Sequence, residues 1–329
     1  MKADFSDRRF YQQTDERVHT RFRLTRVIPM SRVFTSGTRD LPRKRTTSWH
    51  WSDVQLPVRV IPMTRRIALL PVLLAWSSVV LLAQRAENEN KTPTAAELQA
   101  ITARGKMLYE YDVAAWHATD VIQDLKPEKG STRYYIAKKG ERGWVVVFGR
   151  LSDAHDKFLT VYEATQGTKP EFFTSKRHDP PLESTDFYFF AARAFDLALK
   201  DLGPVNRPYN DYAIPAETGQ LYVYLLPAQT KDGVYPLGGD VRYTFTADGS
   251  TMLEKRQMHK TVLEFDFNDK PGGVKKVEAS WHTHVLSNRP EDSDVFYVLS
   301  RRPTMREYVG TLDKKIWVIE TDGTILIGK

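Results

Sequence analysis

Short strand-like runs separated by turn residues dominate the chain from about residue 133 onward. Apolar and β-branched residues fill the stretches 133–137, 144–150 and 157–163, and turns rich in Gly, Asp and Lys divide them. Short turns can join only antiparallel neighbours, because a parallel pair of strands needs a crossover of roughly a dozen residues or more. The pattern therefore predicts an antiparallel meander in this part of the chain.

Two longer segments have a helical pattern instead. In the first, residues 94–125, apolar residues recur every three or four positions, and Thr94 with Glu97 is typical of a capping box. Gly105 is a candidate kink within this helix. The second segment, 184–202, ends at Gly203, and a loop containing two prolines is expected before it at 176–182.

Strand-like runs resume after residue 208 and continue to the end of the chain. A Gly- and Pro-containing loop is expected at 232–240 and a short helix at 295–301. The fold class predicted for the whole is α+β, with a largely antiparallel sheet and two main helices. The predicted strands of this part are 219–227, 241–246, 252–267, 274–285, 308–311, 315–320 and 324–327.

Residues 63–83 have the ordered parts of a secretory signal peptide. Met63 and two arginines precede the apolar run 67–82, and the small residue Ala83 follows it. We expect translation to start at Met63, residues 1–62 to be a disordered or untranslated upstream extension, and the mature protein to be secreted or periplasmic. The alternative is an uncleaved membrane anchor formed by residues 67–82, because Leu81 is not a small residue at the −3 position.

The positive charge of the chain lies in its first 62 residues. The formal net charge of the chain is +7, and residues 1–62 hold 13 Lys and Arg against six Asp and Glu. The predicted mature chain, which begins at Gln84, has 33 Lys and Arg against 35 Asp and Glu. This near neutrality disfavours nucleic-acid binding. We expect a protein or peptide partner, and membrane contact only through an uncleaved anchor.

The chain contains no cysteine, so a protein-bound transition metal would need histidine and carboxylate ligands. His282 and His284 are two residues apart in a strand-like run, which directs both imidazoles to one face. A carboxylate from the segment that follows, which contains Glu291, Asp292 and Asp294, could supply a third ligand. With water in a fourth position, three such ligands would form a zinc site of the catalytic type. The alternative is that both histidines belong to a strand that binds no metal.

From about residue 186 to 329, the chain resembles the JAMM/MPN-type metallopeptidase domain. It looks most like the small JAMM-like domains of bacterial secreted and toxin-associated proteins. The resemblance rests on His282-Thr283-His284, the loop that ends in Asp294, the short helix after it, and the run Tyr-Val-Gly-Thr-Leu-Asp at 308–313. It implies that two histidines and the aspartate bind zinc, that a loop serine stabilises an oxyanion, and that an upstream glutamate is the general base.

The chain departs from that family pattern at two positions. Asp294 comes one residue early, and Glu291 occupies the place of the family serine, so Ser293 becomes the candidate serine. Asp211 is the only carboxylate near the expected place of the glutamate, which makes it the candidate general base. Because aspartate is one methylene shorter than glutamate, the geometry of proton transfer would differ.

The predicted organisation is an extension (1–62), a signal peptide (63–83), an N-terminal helix with a three-stranded meander (84–183), and a JAMM-like α+β domain (184–329). The expected function is exported, zinc-dependent hydrolysis of an amide or isopeptide bond. The alternative is a non-catalytic binding or structural protein with a degenerate JAMM-like fold. The remaining histidines of the mature chain are interpreted as packed, loop or strand residues. They are His117, His155, His178 and His259.

Overall fold

The computed structural model describes residues 91–268 and 277–328. The predicted extension at 1–62 and the predicted signal peptide at 63–83 lie outside the described residues and stay predictions. Within the described ranges, none of the helices is both long enough and apolar enough to cross a membrane. All the described residues belong to one compact unit.

Helix α1 (Ala95–Gln123) begins as the sequence predicts. The Thr94 hydroxyl accepts a hydrogen bond from the backbone N–H of Glu97, and the Glu97 carboxylate accepts one from the N–H of Thr94. Helix α1 is continuous across Gly105, so the glycine does not split the helix. A Cβ at this position would lie 2.4 Å from the Cβ of Val295 in helix α3 (Asp292–Ser300). The glycine therefore permits close packing of α1 against α3.

The predicted meander forms a four-stranded antiparallel sheet with the order β1-β2-β3-β4. The fourth strand was expected to be a loop because it contains Pro180 and Pro181. This strand, β4, lies at the sheet edge. Its pairing with β3 is irregular between Arg177 and Leu182, and both prolines lie in that interval. An edge strand tolerates proline because one side of it needs no N–H donor. The strands are β1 (Tyr134–Gly140), β2 (Gly143–Leu151), β3 (Phe158–Gln166) and β4 (Phe173–Ser184).

After helix α2 (Phe187–Leu202), the chain forms a second antiparallel sheet with the order β5-β6-β8-β9, and strands β7 and β10 pair separately. The predicted strand 252–267 is two strands, β9 and β10, because residues 258–261 leave the sheet. The loop expected at 232–240 contains β7. Its prolyl residue, Pro236, lies in a two-stranded pair with a free edge. The strands are β5 (Tyr209–Pro215), β6 (Leu221–Pro227), β7 (Val234–Gly238), β8 (Val241–Phe245), β9 (Met252–Gln257) and β10 (Val262–Asp266).

The last sheet has the order β11-β12-β13-β14. Strands β11 and β12 are parallel, and α3 is the crossover that a parallel pair requires. The other pairs in this sheet are antiparallel. The predicted α+β class with largely antiparallel sheets is thus confirmed. The strands are β11 (Ala279–Thr283), β12 (Arg306–Gly310), β13 (Ile316–Ile319) and β14 (Ile325–Ile327).

Helix α1 packs against several parts of the fold and thereby links them. On one side its apolar residues join a core built from β1, β2, β3, β5 and β6, where Tyr111 and Tyr212 meet edge to face. Nearer its start, Ile101 packs with Val295 and Trp317 of the last sheet and its helix. The domain boundary predicted at residue 184 stays a prediction, and the described cores include residues from both sides of it.

Candidate metal centre

Three histidines and one aspartate converge inside the last part of the fold: His259, His282, His284 and Asp294. They are 7%, 3%, 1% and 0% exposed, respectively. The structure thus brings together the three ligands predicted from the sequence and adds a fourth, His259. Four metal-ligating side chains at one buried point form a group that can hold a metal ion.

Local backbone geometry places the two histidines of the motif. His282 lies on β11 with Thr283 exposed on the opposite face, as alternation along a strand requires. His284 follows the strand, and its backbone N–H donates to the carbonyl of Gly310 at 2.8 Å, which continues the direction of pairing with β12. Both imidazoles therefore face the same side, as the sequence predicts.

His259 comes from the four-residue break between β9 and β10. Gly238 packs against this break. If residue 238 had a Cβ, that atom would lie 2.3 Å from the carbonyl oxygen of Thr261 and 3.0 Å from the Cβ of His259. Gly238 has a positive φ of 87°, a conformation that glycine adopts readily. This close approach of two backbones allows the break to carry His259 inward.

Asp294 occupies the third position of α3, where it also caps the helix. Its Oδ2 accepts a hydrogen bond from the backbone N–H of Glu291 at 2.7 Å, which completes a capping box. Its Oδ1 is buried and, within the part of the chain that the structure describes, accepts no hydrogen bond of good geometry, although His259 Nε2 lies 3.0 Å away. A buried carboxylate oxygen without such a bond fits a metal ligand.

The candidate ligand atoms lie within 4.8 Å of one another, and several of them are much closer. His284 Nε2 lies 2.8 Å from His259 Nε2 and 3.0 Å from His282 Nε2. The carboxylate oxygens of Asp294 lie 3.0 to 3.2 Å from the three Nε2 atoms. Ligands bound to one tetrahedral zinc at about 2.1 Å are roughly 3.4 Å apart. A small cation would thus need only a slight outward adjustment of the side chains.

Each histidine has an acceptor for its other ring nitrogen. The Nδ1 atom of His259 lies 2.8 Å from Asp240 Oδ1, that of His282 lies 2.8 Å from Glu307 Oε1, and that of His284 lies 2.7 Å from the carbonyl oxygen of Arg289. With the proton on Nδ1, a neutral ring directs its Nε2 lone pair to the common centre. Metal-bound histidines almost always have such an acceptor behind them.

Electrostatics at the centre favour positive charge. Burial alone lowers the pKa of His259, but Asp240 and Asp294 outweigh it and raise the pKa well above its ordinary value. For Asp294, burial raises the pKa, but the three histidines outweigh burial and lower it well below its ordinary value. The surroundings of the centre therefore favour cationic charge there, either as protons on the rings or as a metal ion.

A second layer of buried charge positions His282. Glu307 and Arg301 are both 0% exposed, and Arg301 Nη1 donates to Glu307 Oε2 at 2.6 Å. Ser280 also donates a hydrogen bond to Glu307. Because Arg301 and Ser280 hold one carboxylate oxygen, the other stays directed at the His282 ring. The sequence analysis did not identify Glu307, which lies 25 residues from His282.

The two predicted catalytic residues do not join this group. Asp211 lies on β5, opposite Leu225 of β6. Ser293 is buried on α3, and its hydroxyl contacts the sulfur of Met258 at 3.8 Å. Glu291, at the place of the family serine, is paired with Arg256 at 2.6 Å and accepts a hydrogen bond from Ser287. The catalytic roles predicted for Asp211 and Ser293 stay predictions.

The interpretation of His259 as an ordinary strand residue was wrong, since His259 leaves the strand and enters the buried group. The sequence contains little sign of this role. His259 stands beside Lys260 inside the predicted strand 252–267, and strand-like residues continue on both sides of it. No protein-family model, curated protein or solved structure matches the chain. The likeness to the JAMM/MPN-type domain therefore stays an expectation from the sequence.

Proposed function

We propose that this protein binds one zinc ion in a closed site and that the ion has a structural role. The observation that carries the proposal is His259, which takes the fourth ligand position. Structural zinc sites have four protein ligands, whereas catalytic sites keep one position for water or substrate. All four ligands here are at most 7% exposed. This supports the non-catalytic alternative among the functions expected from the sequence.

The ligand chemistry favours zinc over other common ions. Three imidazole nitrogens and one carboxylate suit zinc, whereas magnesium and calcium prefer sites made of oxygen. The chain lacks cysteine, so a thiolate site is excluded.

A bound zinc would join three separate pieces of the fold. It would connect the break between β9 and β10, the end of β11, and the first turn of α3. These pieces belong to different sheets and a helix, and backbone pairing does not directly connect β10 with β11 among the described residues. Because an unfolded chain has no such site, the free energy of zinc binding would contribute directly to folding.

A zinc-dependent amide or isopeptide hydrolase is the second candidate function. It is favoured by the convergence of His282, His284 and Asp294, which the JAMM resemblance implies as ligands. In this alternative, zinc would polarise the substrate carbonyl, and His259 would have to leave the fourth position. Asp240 would then lose its histidine partner and become a carboxylate available for proton transfer.

Metal analysis with an activity assay separates the two functions. Purified protein should contain close to one zinc per chain, and His282→Ala should lose it. His117→Ala is the matched control, because His117 stacks on Trp116 away from the centre. For a structural site, His259→Ala should bind zinc more weakly and hydrolyse no peptide or isopeptide substrate. Zinc-dependent hydrolysis by the unaltered protein would instead establish the enzyme, and zinc-free protein that cannot be loaded would contradict both functions.

We also propose that the chain is exported and that its partner is a protein or peptide. The support for export is the order of basic, apolar and small residues at 63–83. N-terminal sequencing of the protein from fractionated cells should give Gln84 in the exported fraction. An N-terminus at Met63 in the membrane fraction would indicate the anchor alternative. An N-terminus at Met1 in the cytosol would contradict export.

A further inference from the structure

Four arginines surround a small cavity beside the first turn of α3. The cavity has a volume of about 80 Å³. By the usual size requirement of a buried water, this is room for several water molecules, and hence for one small oxyanion. The charged residues that line the cavity are Arg104, Arg242, Arg256, Arg289, Glu97 and Glu291.

Three of these arginines already have close carboxylate partners. Asp292 pairs with Arg104 at 2.9 Å and with Arg242 at 2.8 Å. Glu291 pairs with Arg256 at 2.6 Å. Two buried carboxylates therefore face three guanidinium groups. The positive charge is already in excess before Arg289 is counted.

Arg289 is the arginine whose charge is least compensated. Its side chain is 18% exposed, and the carboxylate of Glu97 lies 3.8 Å from it. That carboxylate is half exposed and already accepts hydrogen bonds from the backbone N–H and the hydroxyl of Thr94, at 2.7 and 2.8 Å. The Nε atom of Arg289 is buried and has no hydrogen-bond partner among the described residues.

Charges of both signs surround the Arg289 guanidinium. Burial lowers its pKa, and the neighbouring charges of Arg256 and Arg242 lower it further. Together they outweigh the two glutamates that line the cavity, which raise this pKa. By contrast, the pKa of Arg104 and that of Arg242 are raised despite burial, because both face Asp292. An anion in the cavity would give Arg289 the partner that Asp292 gives the other two.

We propose that this cavity binds one small oxyanion, the carboxylate or phosphate group of a ligand, with Arg289 as its main contact. The planar guanidinium matches both groups by paired hydrogen bonds. The excess charge of the surrounding arginines favours an anion over a neutral group. The site is separate from the metal centre and does not rest on the zinc proposal, because its residues are not the metal ligands.

The backbone of Arg289 nevertheless belongs to the metal centre. Its carbonyl oxygen accepts the hydrogen bond from His284 Nδ1. A side-chain substitution leaves that carbonyl in place, so Arg289→Gln can test the anion site without removing a metal contact. Arg133→Gln is the matched control, since its guanidinium is half exposed and pairs with Asp196 at 3.0 Å.

Calorimetric titration of the purified protein with inorganic phosphate, sulfate and acetate tests the proposal. We expect saturable binding of at least one of them, roughly tenfold or more weaker in Arg289→Gln and unchanged in Arg133→Gln. Acetate binding without phosphate binding indicates a carboxylate ligand, and the reverse indicates a phosphate ligand. No saturable binding of any of the three, or equal binding by folded Arg289→Gln, would overturn the proposal.

Zinc content measured on the same samples keeps this proposal distinct from the structural-zinc proposal. Loss of anion binding with zinc retained is the expected behaviour of Arg289→Gln. Anion binding by a protein that cannot be loaded with zinc would support the anion site and contradict only the zinc site. Circular dichroism of each variant shows that the fold is retained.

Discussion

The Nε2 atom of His259 lies 2.8 Å from the Nε2 atom of His284, although the Nδ1 atom of each ring has its own acceptor. Two neutral rings so arranged would direct lone pairs at each other, and Asp294 adds a carboxylate to the same point. A cation between them removes this repulsion. Since a proton on one Nε2 would also remove this repulsion, a metal is expected from the convergence of all four ligands and not from this pair alone.

Removal of the metal should lower the stability of the protein. If free zinc exceeds its Kd a thousandfold, binding adds about 4 kcal/mol to the free energy of unfolding. We expect the Tm to fall by several degrees in a chelator and to recover when zinc is added back, as measured by scanning calorimetry. Magnesium should not restore it, because magnesium prefers oxygen ligands. Identical Tm values with and without chelator would contradict a structural metal.

The ligand pair His282 and His284 was predictable because its geometry is local. Residues i and i+2 share a face of any strand, so the spacing alone places both rings together. Asp294 was also close enough in sequence for the loop after β11 to return it to the strand end. These three ligands are the part of the site that the sequence could establish.

His259 and its partner Asp240 were not predictable for a different reason. Their positions depend on where a strand stops, and the run 252–267 shows strand-like residues on both sides of the break. The break depends on the approach of Gly238 to Thr261 across another strand pair. Such contacts between distant segments follow from the tertiary fold. Likewise, the prolines of β4 and β7 predict loops, although proline also suits an edge strand.

Substitution Glu307→Gln should weaken metal binding and stability together. Glutamine keeps an oxygen that can accept the His282 hydrogen bond, but it leaves Arg301 without its charged partner. Loss of a buried ion-pair partner typically costs about 3–5 kcal/mol. A neutral amide is also a weaker acceptor than a carboxylate, so zinc affinity should fall by about tenfold, the lower end of the usual range for a residue behind a metal ligand. Urea unfolding and zinc titration measure the two effects. Glu320→Gln, whose pair with Arg306 is partly exposed, is the control.

If Glu307 only fills space, its substitution should resemble that control. A folded Glu307→Gln protein with unaltered zinc affinity would show that the carboxylate does not position His282. A loss of zinc affinity without a change in the zinc-free stability would separate positioning from the ion pair with Arg301.

Substitution Gly105→Ala should destabilise the fold despite the higher helix propensity of alanine. In an exposed helix this change gains about 1 kcal/mol. Here the new Cβ would lie 2.4 Å from the Cβ of Val295 and 2.6 Å from the carbonyl oxygen of Asp292. Overpacking of this kind costs about 1–3 kcal/mol, so the clash should outweigh the gain. Thermal unfolding measures the difference.

The control for Gly105 is Gly140→Ala, where the nearest atom to a new Cβ is the carbonyl oxygen of Gly143 at 3.7 Å. We expect a change within roughly 0.5 kcal/mol at that surface position. Since α3 carries Asp294, the Gly105 variant should also bind zinc more weakly. A more stable Gly105→Ala protein would show that α1 and α3 do not pack as closely as described.

Asp292 should make stability depend on acidic pH. Burial raises the pKa of its carboxyl, but Arg242 and Arg104 outweigh burial, so the folded-state pKa is lowered from 3.8. A carboxyl with a lowered folded-state pKa stabilises the fold fully above its unfolded value, and this contribution is lost as pH falls from about 4 through the folded-state pKa. Acid unfolding followed by fluorescence should show this loss.

Substitution Asp292→Asn should remove that part of the pH dependence and destabilise the protein at neutral pH. It leaves two guanidinium groups without their shared carboxylate, and breaking one buried pair typically costs about 3–5 kcal/mol. Asp153→Asn is the matched control, because its pair with Arg150 is exposed and such pairs contribute about 0–1 kcal/mol. If Asp292→Asn unfolds at neutral pH, Asp292→Glu keeps the charge and tests the ion pair by partial recovery. Neutral-pH stabilities equal for Asp292→Asn and the control would show that the ion pair does not hold α1 and β8 against the first turn of α3.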